Sequence, residues 1–194
     1  MAGDPCTNSW YGVTCADDHA NYYDAVDSVV TRLMLEDNSL HGTLPSELGW
    51  LTAMTSHLVL ADNLLSGTLP SQLGNLGESA PSTFQNVFWV NSNQLTGPVP
   101  TQLGRFTAMT RQLYLFENDF AGALPSEIGR LTALTGQLKL QSNAFTGVIP
   151  TQRSPESRGS WRSIRRGVAA LGAKASKSNS PSSPARCDRP FAIN

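Results

Sequence analysis

Apolar and polar positions alternate along this chain in a frame that repeats. Around Asn118 the order is Leu113-Tyr-Leu-Phe-Glu-Asn-Asp-Phe-Ala-Gly-Ala-Leu-Pro-Ser-Glu-Ile-Gly, and the same pattern occurs in four other places. The units align on Asn38, Asn63, Asn93, Asn118 and Asn143, which lie 25, 30, 25 and 25 residues apart. Glycine follows four residues after each asparagine (Gly42, Gly67, Gly97, Gly122, Gly147), and proline three residues after each glycine (Pro45, Pro70, Pro100, Pro125, Pro150). A fixed period of this length marks a solenoid, in which each unit buries its apolar side only on its neighbours.

Each residue type in the frame has a mechanical reason. Two apolar residues separated by one position (Leu33 and Leu35, Leu58 and Leu60, Phe88 and Val90, Leu113 and Leu115, Leu138 and Leu140) read as a short strand with both pointing inward. The asparagine turns the chain, and its amide can satisfy backbone groups of neighbouring coils that are otherwise buried unpaired. Glycine allows turn geometry that a Cβ hinders. Proline fixes the start of a short helical stretch, Pro-Ser-Glu-Leu-Gly in the first copy, and the closing glycine is expected to end it. The Ser46-Glu47 and Ser126-Glu127 pairs fall there and read as capping residues.

Departures from the frame are local. The 30-residue interval carries five extra residues around Gly77-Glu-Ser-Ala-Pro-Ser-Thr83, a loop-like composition expected to bulge from the coil edge. The frame stops after Pro150-Thr-Gln, and the following 42 residues are rich in Ser, Arg, Pro and Ala. Such a segment has little to bury and is expected to be disordered. Trp161, Ile164, Val168 and Leu171 fall at helical spacing beside Arg162, Arg165 and Arg166, so weak contact with an anionic surface is conceivable.

Residues 4–15, Asp-Pro-Cys-Thr-Asn-Ser-Trp-Tyr-Gly-Val-Thr-Cys, resemble the N-terminal cap of plant-type leucine-rich-repeat proteins. The repeat, with its Leu-x-Leu-x-x-Asn core and its Leu-x-Gly-x-Leu/Ile/Val-Pro-x-x-Leu-Gly extension, is similar to the same subclass. The resemblance spans about residues 4–152. It implies an α/β solenoid, a right-handed superhelix of about five repeats, with Cys6 and Cys15 joined in a capping disulfide. In this reading residues 1–27 form the cap, 28–152 the repeats and 153–194 the basic tail. Two differences stand out. In this chain Met54 to Leu58, Met109 to Leu113 and Leu134 to Leu138 are four residues apart where the family has three. Cys187 stands alone in the tail, not in the C-terminal cap that family members usually have.

The formal net charge of -1 hides a split. Through Gln152 there are 5 basic and 13 acidic residues, net -8; from Arg153 onward there are 9 basic and 2 acidic, net +7. An acidic body disfavours specific nucleic-acid binding. The outward strand positions turn the repeat into a surface. Between the inward residues lie Met34, Val59, Trp89, Tyr114 and Lys139; the next column is Glu36, Ala61, Asn91, Phe116 and Gln141; beside it run Asp37, Asp62, Ser92, Glu117 and Ser142. At about 4.8 Å between strands, Trp89, Tyr114 and Phe116 are expected to cluster as exposed aromatics. Glu36, Asp37, Asp62 and Glu117 add an acidic border favouring a basic partner.

Chemistry of other kinds is not encoded in recognisable form. His19, His41 and His57 have no nucleophile motif nearby, and no P-loop, dinucleotide fingerprint or zinc spacing occurs. Asp17, Asp18 and His19 read as a solvated loop, so neither a metal nor a cofactor is expected. The N-terminus lacks the basic segment and apolar core of a signal peptide. No run of about eighteen apolar residues reads as a membrane span. The family resemblance implies a non-catalytic recognition module at the cell surface or outside it, binding a protein or peptide with Met34, Glu36, Asp37, Asp62, Trp89, Tyr114, Phe116 and Glu117. Its relatives include receptor-like kinase ectodomains and inhibitors of cell-wall-degrading polygalacturonases, so an inhibitor of a wall hydrolase, or a fragment of an ectodomain, is the alternative.

Overall fold

A computed structural model describes residues 11–16, 29–77, 87–147 and 150. Strand β1 (Val13–Ala16) runs antiparallel to β2 (Val29–Met34), which opens the first coil. That coil continues through β3 (His41–Thr43) and a 3-10 turn at Ser46–Trp50. The second coil has β4 (His57–Val59), β5 (Leu64–Thr68) and a 3-10 stretch at Ser71–Gly77. The third has β6 (Val87–Trp89), β7 (Gln94–Gly97) and Thr101–Arg105; the fourth has β8 (Gln112–Tyr114), β9 (Asp119–Ala123) and Ser126–Arg130. The fifth shows β10 (Gln137–Lys139) and β11 (Ala144–Thr146).

Each coil therefore contributes to two sheets. One has the order β1-β2-β4-β6-β8-β10 and the other β11-β9-β7-β5-β3. Apart from β1 against β2, the pairings are parallel; the first sheet keeps the repeat register, with Leu58 beside Phe88 and Phe88 beside Leu113, whereas the second is offset by two, with Gly67 beside Leu95 and Gly97 beside Phe120. The second sheet is absent from the reading of the sequence, where its residues appear only as a glycine turn. The glycines do occupy left-handed backbone, as at Gly67 and Gly97 with φ 74°, but they do so within or beside strands. The helical layer on the far side consists of 3-10 turns.

The inward residues fill one continuous core. Leu58, Phe88 and Leu113 are essentially inaccessible, as are Val90 and Leu115, and Leu65, Leu95 and Phe120 close the core from the second sheet. Burying one such side chain stabilises by roughly 1.5–3 kcal/mol. Phe88 packs on Phe106 across the third coil and Phe120 on Phe145 between the fourth and fifth, with ring centroids 5.6 and 6.2 Å apart.

The asparagines join adjacent coils as the frame predicts. Asn118 accepts from the Leu95 amide at 2.9 Å and donates to the Val90 carbonyl at 2.9 Å, both in the preceding coil. Asn63, Asn93 and Asn143 bond the preceding coil in the same way. Asn38, in the first coil, is exposed and bonds the Glu36 carbonyl of its own turn.

Two expectations need correction. Gly49, Gly74 and Gly104 lie inside the 3-10 turns and do not end them. Their role is close approach: a Cβ at Gly49 falls 2.2 Å from the Gln72 carbonyl oxygen, and one at Gly104 falls 2.4 Å from that of Glu127. The Ser-Glu pairs do not cap. At Ser46–Trp50 and Ser126–Arg130 the N-cap is the proline, without a side-chain bond, and Ser46 Oγ instead donates to Glu47 Oε2.

The extra residue per coil has a defined geometry. The amides of Thr55 and Ser56 both reach the Thr31 carbonyl, and those of Thr135 and Gly136 both reach Thr110. Two successive N–H groups on one carbonyl absorb the inserted residue before the next strand begins.

Candidate functional site

The sheet built from β2, β4, β6, β8 and β10 carries the outward columns. Parallel register places Val59 beside Met34, Trp89 beside Val59, and Tyr114 beside Trp89. The three aromatics do meet. Trp89 stacks on Tyr114 with centroids 5.2 Å apart and 6° between planes, and Tyr114 meets Phe116 edge-on at 5.7 Å and 64°. Lys139 closes the row from the next strand, its Nζ 4.5 Å from the Tyr114 ring centre and 5.4 Å from that of Phe116.

Tyr114 is not the exposed contact that strand alternation suggests. It is only 8% exposed. Trp89, Phe116 and Lys139 flank the ring, and its hydroxyl donates to Gln137 Oε1 at 2.6 Å. Its part in a surface is to hold Trp89 and Phe116, which are half-buried. Met34 is also half-buried and, like Trp89, packs against a buried group formed by Val59, Ala61 and Val87. An apolar band thus runs across the strands rather than as separate exposed side chains.

The acidic border lies at the strand ends. Glu36, Asp37, Asp62 and Glu117 are all exposed. Asp37, Asp62, Ser92, Glu117 and Ser142 share left-handed backbone, with φ between 52° and 55°. This column is therefore also the turn that precedes each asparagine, and Asp suits such a turn better than Glu does. Ser92 links two coils, donating to Glu117 Oε2 at 3.1 Å and receiving Asn91 Nδ2 at 3.2 Å.

The column before the inward pair escaped the sequence reading. It contains Arg32, His57, Val87, Gln112 and Gln137, two positions before Met34, Val59, Trp89, Tyr114 and Lys139. The same alternation that exposes Met34 could have found it. Burial and then the charges of Arg32 and Arg111 hold the His57 pKa below its ordinary 6.5. Ser56 Oγ hydrogen-bonds His57 Nδ1.

Two polar atoms of this face are covered and lack a hydrogen-bond partner: Trp89 Nε1 and Asn91 Oδ1. In the cap, Cys15 is disulfide-bonded. Cys6 and the Asp17, Asp18 and His19 loop lie outside the described residues, as do residues 151–194. Among the described residues no His, Cys, Asp and Glu group is arranged to hold a metal ion. None of the described helices is long and apolar enough to cross a membrane.

The family model described as Leucine Rich Repeat matches residues 55–76. Among curated proteins none matches the sequence significantly. Solved structures do match. The ectodomain of the receptor kinase SOBIR1 from Arabidopsis thaliana is similar at 24% identity and a TM-score of 0.63, over 77% of this chain and 74% of that one. The BIR2 ectodomain from the same organism is 26% identical with a TM-score of 0.58, over 72% of this chain and 65% of that one. The ectodomain of the Arabidopsis receptor kinase HAESA, in complex with an IDA peptide hormone ligand, is 35% identical with a TM-score of 0.52. That match covers 61% of this chain and spans only 18% of the HAESA ectodomain.

Proposed function

We propose that this chain, a plant-type leucine-rich-repeat protein, is a non-catalytic recognition module that binds a protein or peptide on the sheet formed by β2, β4, β6, β8 and β10. The observation that carries this reading is the aromatic band: Trp89 and Phe116 each in contact with Tyr114 across two coils, with Met34 extending it. Aromatic side chains ordered before binding contribute contact area with little entropy left to lose. Lys139 caps the Tyr114 ring from within the chain, and the border of Glu36, Asp37, Asp62 and Glu117 favours a cationic group on the partner. The likeness to receptor ectodomains, one of them solved with a peptide hormone, supports a peptide or protein ligand and a location at the cell surface or outside it. Cap, repeats and basic tail, at 1–27, 28–152 and 153–194, form one binding unit in this reading, with Cys6 as the partner of Cys15.

The test is selection of displayed random peptides on the immobilised full chain. Retained peptides are then challenged with the Trp89→Ala and Phe116→Ala variants. The reading expects binders whose retention needs Trp89 and Phe116. Binders indifferent to both substitutions refute it.

A further inference from the structure

Apart from Lys139, which lies in the middle column over Tyr114, the charged groups of this face are sorted by position along the strands. Arg32, within β2, and His57, which opens β4, stand two positions before Met34 and Val59, and Arg111 directly precedes β8. The register sets Arg32 beside His57 on the adjacent strand and lines His57 up with Val87 and Gln112. Arg111 thus stands one residue before that same row, and basic residues of three coils share one edge. Glu36, Asp37, Asp62 and Glu117 stand at the opposite ends of the same strands, all exposed. Four to five residues separate Arg32 from Glu36 and Asp37, a span of at most about 13–16 Å at about 3.3 Å per extended residue. The apolar band of Met34, Val59 and Trp89 runs between the two edges.

Resting on the proposed peptide-binding role, we infer that the ligand is an extended peptide carrying a carboxylate and a cation four or five residues apart, with an apolar side chain between them. The carboxylate lies at the Arg32, His57 and Arg111 edge and the cation at the acidic edge. A uniformly basic peptide, which the acidic border alone suggests, meets like charge at Arg32 and Arg111, and such juxtaposition is what excludes wrong partners. The covered Trp89 Nε1 and Asn91 Oδ1 add one unmet donor and one unmet acceptor between the edges. Asn91 is only 6% exposed, so this polar demand sits in the floor of the band and not on its rim.

The polarity is tested with the peptides selected on the full chain. Enriched sequences are expected to pair Asp or Glu with Lys or Arg at a spacing of four or five, around an apolar residue. Arg32→Gln and Asp62→Asn are each expected to weaken them by at least about fivefold, since each removes one charge contact. Asparagine suits the left-handed backbone at position 62, so the second variant removes charge without disturbing the turn. Peptides that need Trp89 and Phe116 but carry one sign of charge, or none, overturn the polarity and leave the peptide-binding reading in place. So does affinity unchanged by both Arg32→Gln and Asp62→Asn. Absence of any peptide that needs Trp89 or Phe116 overturns both readings.

Discussion

The indole of Trp89 and the phenol of Tyr114 lie 6° from parallel on adjacent strands, their centroids 5.2 Å apart. The parallel register that pairs these two residues also spaces the repeats, so the stack follows from the solenoid itself. A double-mutant cycle of Trp89→Ala and Tyr114→Ala is expected to show a coupling of about 0.5–1.5 kcal/mol, the range for aromatic pairs beyond area burial. Chemical denaturation of the full chain measures it. Additive effects indicate that the rings are neighbours without being partners.

Asn118 is expected to matter far more than Asn38. Replacing Asn118 by alanine strips the buried Leu95 amide of its acceptor and the Val90, Leu115 and Phe116 carbonyls of a donor. A cost of about 2–4 kcal/mol follows from leaving buried backbone groups unpaired. Asn38→Ala, at an exposed turn, is expected to cost under about 1 kcal/mol. Equal losses in urea titrations contradict the coil-joining role.

The two glycine columns should respond differently to alanine. At Gly104 the new methyl meets the Glu127 carbonyl oxygen and forces two coils apart, at a cost of roughly 2 kcal/mol or more. At Gly122 nothing lies within 4 Å of the Cβ, and the φ of +82° alone sets the cost, about 1 kcal/mol. Melting curves of the two variants should rank Gly104→Ala as the more damaging.

His57 gives a pH signature. Its folded-state pKa is held below the ordinary 6.5, so on acidification the unfolded chain takes the proton first. Stability from this site is therefore complete above about pH 6.5 and falls as pH drops through the folded-state value. His57→Gln should flatten the decline in melting temperature between roughly pH 7 and 5 relative to the unsubstituted chain. An unchanged pH profile contradicts the account of His57 as held neutral by burial and then by the charges of Arg32 and Arg111.

How much of this was legible follows from what a repeat makes visible. The inward residues and the asparagine bonds are dictated by each unit's own frame, and Leu113, Leu115 and Asn118 stand where that frame places them. The second sheet was not legible, because strands of three to five residues built around a left-handed glycine read as turns. Gly104 misled for a different reason: its constraint comes from Glu127 in the next coil, which no local pattern contains. Tyr114 shows the limit of alternation. Period two assigns a side to a residue, but the size of Trp89, Phe116 and Lys139 decides whether that side remains exposed.

The central claim is that this sheet face is where the partner binds. Calorimetric affinities of selected peptides test it most directly, comparing Trp89→Ala with Phe116→Ala against a control, Trp50→Ala, at the 72% exposed residue that ends the first 3-10 turn. The double variant is expected to bind at least about tenfold more weakly, the equivalent of about 1.4 kcal/mol, with its fold checked by circular dichroism. Trp50→Ala should bind as the unsubstituted chain does. Retained affinity in the folded double variant, or a loss with Trp50→Ala instead, contradicts the account.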